Sequence, residues 1–134
     1  MIISRAIGIL ALTVSLVAAA QQSAKPSDEQ IAAQNALTAV NLGLGACVKG
    51  YAASQALTQA TPAAVADAAI QSCNARSKAW RRAFLESARL EARDNKARFD
   101  EALAQKQAAE GLARVEDTLR QIAAKSVVQM RTPK

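Results

Sequence analysis

The chain has no histidine, and its aromatic residues number four: Tyr51, Trp80, Phe84 and Phe99. Without imidazole, the side chain that most often serves as general base or metal ligand is missing. The two cysteines, Cys47 and Cys73, do not complete a tetrahedral zinc site alone. Neither a glycine-rich phosphate loop nor a nucleophile motif occurs. The acidic neighbours Asp100-Glu101 and Glu116-Asp117 would point about 100° apart on a helix, so neither pair converges on one substrate. These absences predict a non-enzymatic protein with no catalytic residue, metal or cofactor. The shortage of large side chains predicts a thin core built on alanine-rich helix contacts.

Proline and glycine are also scarce. Pro62 and Pro133 have no proline between them, and the only glycine in that span is Gly111. Helix-start chemistry appears twice. Ser27-Asp28-Glu29-Gln30 reads as a capping box, with Ser27 as N-cap and Gln30 reaching back. Thr61-Pro62 places a capping hydroxyl ahead of the residue best suited to the first helical position. The first helix is predicted to run from Ser27 to about Gln59. Gly43, Gly45 and Gly50 lie inside it, either to let a partner helix approach closely or to mark a kink.

The cysteines are 26 positions apart, with their midpoint one residue before Thr61-Pro62. Two antiparallel helices turning there would carry the sulfurs about 12 residues, or ~18 Å, from the turn on each arm and hence at equal height. Leu37, Val40, Leu44, Cys47 and Tyr51 repeat at 3,4,3,4, and Ile70, Cys73, Ser77, Trp80 and Phe84 do the same. Both cysteines then fall on the seam between the arms, which predicts a structural disulfide; two free buried thiols or an exposed redox pair are the alternatives. The fold class expected is all-α, a disulfide-linked antiparallel helical hairpin with a long C-terminal helix.

Beyond Pro62 two arrangements compete. In one, a single helix continues to about Gln129, supported by acid-first pairs Asp94 with Arg98, Glu110 with Arg114 and Glu116 with Arg120. In the other, the chain turns near Asp94-Asn95 and a third helix packs back as a three-helix bundle. The missing glycine or proline at that turn favours continuity. A distal apolar stripe of Ala108, Leu112, Val115, Leu119 and Ile122 then needs a partner, and self-association through Leu112, Val115, Leu119 and Ile122 is expected.

The first twenty residues resemble an export signal: Arg5, an apolar run from Ile7 to Val17, and Ala18-Ala19-Ala20 before Gln21. The run is shorter than the ~20 residues a spanning helix needs, and no cysteine stands directly after it for a lipid anchor. A periplasmic or secreted location follows as the expectation, one that suits a paired bond. The organisation predicted is a signal peptide at 1–20, a flexible leader at 21–26, one helical domain at 27–130 and a disordered tail at 131–134.

Residues 74–134 hold fourteen basic and eight acidic side chains, whereas residues 21–73 hold two and three. Arg76, Lys78, Arg81, Arg82, Arg89 and Arg93 are the candidate interaction surface, for envelope proteins or an anionic membrane surface. A solvated face of mixed sign is the plainer reading. Nucleic acid is not expected, because no aromatic residues interleave with the arginines for base stacking. Trp80 lies among these cations but also on the cysteine seam, which assigns it to the core rather than to an interfacial anchor.

Ala46-Cys47-Val48-Lys49 followed by Ala68-Ala69-Ile70-Gln71-Ser72-Cys73 resembles a layout found in small exported bacterial helical proteins with two cysteines. The resemblance covers residues 46–84 and implies a disulfide-linked hairpin without assigning an activity or functional residues. More loosely, charge, length and export resemble basic periplasmic holdase chaperones, although the strand-forming oligomerisation segment of those proteins is not visible here.

Overall fold

A computed structural model describes residues 25–133 as four helices: α1 (Asp28–Gln55), α2 (Pro62–Ser72), α3 (Asn74–Asp94) and α4 (Glu101–Arg131). The predicted signal at 1–20 and most of the leader lie outside the described residues. α2 and α3 run nearly end to end as one interrupted arm, which packs antiparallel to α1, and α4 returns along both. The long C-terminal helix is therefore α4 of the bundle arrangement. The single helix from Pro62 to Gln129 is not formed.

Two interruptions account for that. At Cys73 (φ −95°, ψ 13°) the helix is broken for one residue, and its amide still reaches the carbonyls of Ala69 and Ile70 at 3.1 and 3.2 Å. At the end of α3 the chain closes with paired bonds from Lys96 to the Arg93 carbonyl (3.0 Å) and from Ala97 to the Ala92 carbonyl (2.8 Å). This is the Schellman pattern, and its left-handed position is held by Lys96 at φ 52° instead of glycine. Asp100 then caps α4 by accepting the Leu103 amide at 3.0 Å. Because a side chain in the left-handed region costs about 1 kcal/mol or more, Lys96→Gly is expected to stabilise the protein by about 0.5–1 kcal/mol. Thermal unfolding followed by circular dichroism checks it; an unchanged or lower midpoint would count against the strain at this turn.

The remaining caps follow sequence chemistry with one change. Ser27 Oγ accepts the Gln30 amide at 3.2 Å and Thr61 Oγ1 accepts the Ala64 amide at 3.2 Å. The reciprocal half of the capping box is replaced: the Ser27 amide donates to Asp94 Oδ2 at 3.0 Å, tying the start of α1 to the end of α3. α1 stops at Gln55, short of the expected Gln59. Its end is held by Arg131, whose guanidinium donates to the carbonyls of Ala56, Thr58 and Ala60 at 2.5, 2.8 and 2.7 Å. Arg131, expected in a disordered tail, is thus the last residue of α4 and part of the fold.

Cys47 and Cys73 form the predicted disulfide, with Sγ atoms 2.05 Å and Cα atoms 6.0 Å apart. Around it lies the main core, where Leu44, Val48, Val65, Ile70, Trp80 and Val127 are buried with several alanines. Among the described residues seven of the sixteen buried apolar ones are alanine, so the helices meet at short range and each contact buries little area. A smaller cluster of Leu85, Ala104 and Ala108 with Phe84 and Phe99 secures the α3–α4 turn. The distal stripe faces inward: Leu112 is buried, Val115 and Leu119 pack against the core, and only Ile122 is exposed. The partner it required is supplied within the chain by the disulfide-linked arms.

The α1 glycines do not serve close approach inside this chain. A Cβ at Gly50 would meet nothing within 4 Å, and one at Gly45 would make an ordinary contact with Leu119 at 3.7 Å.

Candidate functional site: the basic face of α3

The seam residues Cys73, Ser77, Trp80 and Phe84 turn one side of α3 toward α1 and α4, which leaves the intervening cations outside. Arg76, Lys78, Arg81 and Arg82 are all exposed. Among the described residues none of the four has a carboxylate within ion-pair distance, although seven such contacts occur elsewhere on the bundle. Arg76 lies across α1, where a Cβ at Gly43 would come within 3.4 Å of its Nη1. Lys78 and Arg81 stand at the edge of a shallow pocket of about 290 Å³ with Asn74, Ser77, Leu112 and Glu116.

The other two members of the predicted surface have structural partners. Arg89 donates to Glu101 Oε2 at 2.9 Å and stacks over the Phe99 ring at 5.6 Å from its centroid. Arg93 joins Glu29 at the start of α1 and Asp94 beside it. The predicted six-residue surface therefore divides into four free cations, at residues 76–82, and two, Arg89 and Arg93, that fasten α3 to α4 and α1.

None of the acid-first helix pairs supports its helix as expected. Asp94 holds Ser27 and Arg93, Glu116 accepts the Ser77 hydroxyl at 2.6 Å, and Arg120 reaches Asp67 on α2 at 2.6 Å. Glu110 sits opposite Lys106 at 4.0 Å. Each of these carboxylates has taken a tertiary partner or a different neighbour. Ser77 and Glu116 border the site, and sequence alone placed neither of them there. The one signal was a serine at a seam position otherwise filled by apolar residues.

Hydrogen bonds from Ser27 hold the Asp94 carboxyl below the ordinary carboxylate range, and Arg89 does the same for Glu101. Folded values lowered in this way contribute stability that is present above the ordinary range, near pH ~4, and is lost as pH falls through it. The thermal midpoint should therefore be level from neutrality to about pH 5 and fall at lower pH. Asp94→Asn with Glu101→Gln should flatten that acid limb, measured by circular dichroism melts against pH; an identical limb in the double variant would show that other groups cause it.

A second hollow, of about 440 Å³, lies between α1 and α4 and is lined by Leu42, Gly45, Ala46, Val115 and Leu119 with Asn41, Lys49 and Thr118. Leu42 is 68% exposed at its edge. α1 is also long and apolar enough to cross a membrane by length and composition. In the fold it is the helix that carries Leu44, Val48 and Ala52 into the core.

Fold and surface together define a disulfide-tied all-α bundle in which, among the described residues, the cations at 76–82 on α3 have no carboxylate partner. The chain matches no known family model, no curated protein and no solved structure.

Proposed function

We propose that the protein is exported and works without catalysis, as a helical interaction module that binds anionic envelope components through the basic first half of α3. The observation that carries this is the contrast in pairing: the clustered Arg76, Lys78, Arg81 and Arg82 have no carboxylate partner among the described residues, while Arg89, Arg93 and Arg120 each have two. Four cations within two turns of helix raise the local potential toward any polyanion, and the attraction is screened by salt. The disulfide suits an oxidising compartment, and the basic face then meets periplasmic or extracellular partners.

The test uses long-chain polyphosphate as the anionic probe. The protein should bind it at low ionic strength and release it as salt rises. Arg81→Gln with Arg82→Gln should weaken binding about tenfold and make it less steeply salt-dependent, with the melting midpoint unchanged. Equal binding by the double variant would refute the assignment to α3.

A second reading, a holdase for unfolded clients, is favoured by the apolar α1–α4 hollow with Leu42 standing free at its edge. It requires the protein to suppress aggregation of a denatured client, and Leu42→Asp to remove that effect.

A further inference from the structure

The end of the bundle where α1 passes into α2 and α4 finishes exposes three large apolar side chains beside the polar Thr58, Gln59 and Thr61. Leu57, in the connecting loop, is 87% exposed, and Val128 and Met130 near the end of α4 are 50% and 43% exposed. These side chains come from segments about seventy positions apart, and Arg131 brings them together by binding the loop carbonyls on either side of Leu57. Three of the seven exposed large apolar side chains among the described residues are thereby gathered at one tip, where single exposed residues would need no explanation.

Charge around the tip has one sign. Residues 50–66 carry no ionisable acid or base except the Tyr51 phenol, and residues 118–133 carry Arg120, Lys125 and Arg131 but no carboxylate. Asp67, in α2, is taken by Arg120 at 2.6 Å. Lys125 is exposed and lies ~4.5 Å up α4 from Val128 and ~7.5 Å from Met130. The tip is a loop beside a helix end, and the hollows beside α3, between α1 and α4 and at the α3–α4 turn are lined by other residues. A tip of exposed apolar side chains, with Lys125 about one turn behind Val128, does not offer a groove to a partner helix. It does match the layering of an anionic bilayer, in which apolar side chains reach ~5–10 Å into the headgroup and acyl boundary while lysines stay with the phosphates.

We propose that this tip is a lipid-insertion element: Leu57, Val128 and Met130 enter the interface of an anionic bilayer, with Lys125 at headgroup level. The inference goes beyond the role assigned to α3. Arg76 lies 14 residues past the start of α2, ~20 Å along the bundle, so with the tip inserted the basic face stands off the membrane by more than the ~8–10 Å screening length. That leaves it free for a second anionic component.

The test uses the exported, disulfide-bonded product with vesicles of equimolar phosphatidylglycerol and phosphatidylcholine. A Leu57→Trp variant should show blue-shifted emission on vesicle addition and quenching by brominated acyl chains, while Ala102→Trp, at the opposite end, should show neither. Leu57→Asp with Met130→Asp should lower vesicle partitioning by about tenfold or more for each apolar side chain withdrawn. Both residues are exposed, and unchanged far-ultraviolet circular dichroism would establish that the variant is folded. Absence of vesicle binding, unshifted emission from the vesicle-bound Leu57→Trp variant, or full partitioning of the aspartate variant would each overturn the proposal. Loss of polyphosphate binding with vesicle binding retained would count only against the α3 assignment.

Discussion

Replacing Cys47 and Cys73 by alanine is expected to lower the unfolding free energy by about 3.5 kcal/mol, the value for releasing a closed loop of about 27 residues. With helices joined mainly through alanine, and with net stabilities of small domains at only ~5–15 kcal/mol, this is a large fraction of the total. The midpoint should fall by about 10–15 °C, taking ~4 °C per kcal/mol for a domain of this size. Two further observations identify the cause. Cys47→Ala alone should cost nearly as much as the double replacement, because the first substitution already removes the bond. The denaturant dependence should also steepen, since an uncrosslinked unfolded chain exposes more surface. A double variant melting within 2–3 °C of the parent, an effect of well under ~1 kcal/mol, would mean that the bundle is held by packing alone.

The same bond shows what local sequence could and could not convey. Cys47 and Cys73 were legible because three independent signals coincided: their equal distance from Thr61-Pro62, their place on two apolar repeats, and the capping chemistry that starts α2. Trp80 was legible for the second of these reasons. The turn after α3 was not, because it is closed by Lys96 in a conformation usually left to glycine, and its hydrogen bonds are all backbone. Nor was the inward fate of Leu112, which depends on that turn. Among the cations, sequence presented six equivalent candidates from Arg76 to Arg93. Only the fold shows that Glu101 and Glu29 reach Arg89 and Arg93 from other helices, and that, among the described residues, no carboxylate reaches the four at residues 76–82. Pairing across helices is a tertiary property, invisible to any i,i+4 rule, and here it decides which half of α3 is free to bind.

Trp80 is where the three layers of the bundle meet, and its removal is expected to cost about 3–5 kcal/mol. The side chain is 6% exposed, donates from Nε1 to Asn41 Oδ1 on α1 at 3.2 Å, and stacks on Phe84 with ring centroids 5.4 Å apart. Its outer edge lies over Gly111 on α4, where a Cβ would come within 3.1 Å of Cη2. Trp80→Ala should therefore open a cavity shared by all three layers and leave the Asn41 carbonyl oxygen without its donor. Gly111 sharpens the test. In a helix interior glycine costs up to ~1 kcal/mol relative to alanine, so Gly111→Ala would stabilise if the indole could yield. Held by its stack and its hydrogen bond, the indole has no room to move, and overpacking of ~1–3 kcal/mol should outweigh the helix gain. Gly111→Ala is thus expected to destabilise the native chain but to stabilise a Trp80→Phe variant, whose shorter ring vacates the space. The reversal of sign in this double-mutant cycle, read from denaturant unfolding of the four proteins, distinguishes a packing constraint at Gly111 from a general intolerance of substitution; the same sign in both backgrounds would reject the contact as the reason for that glycine.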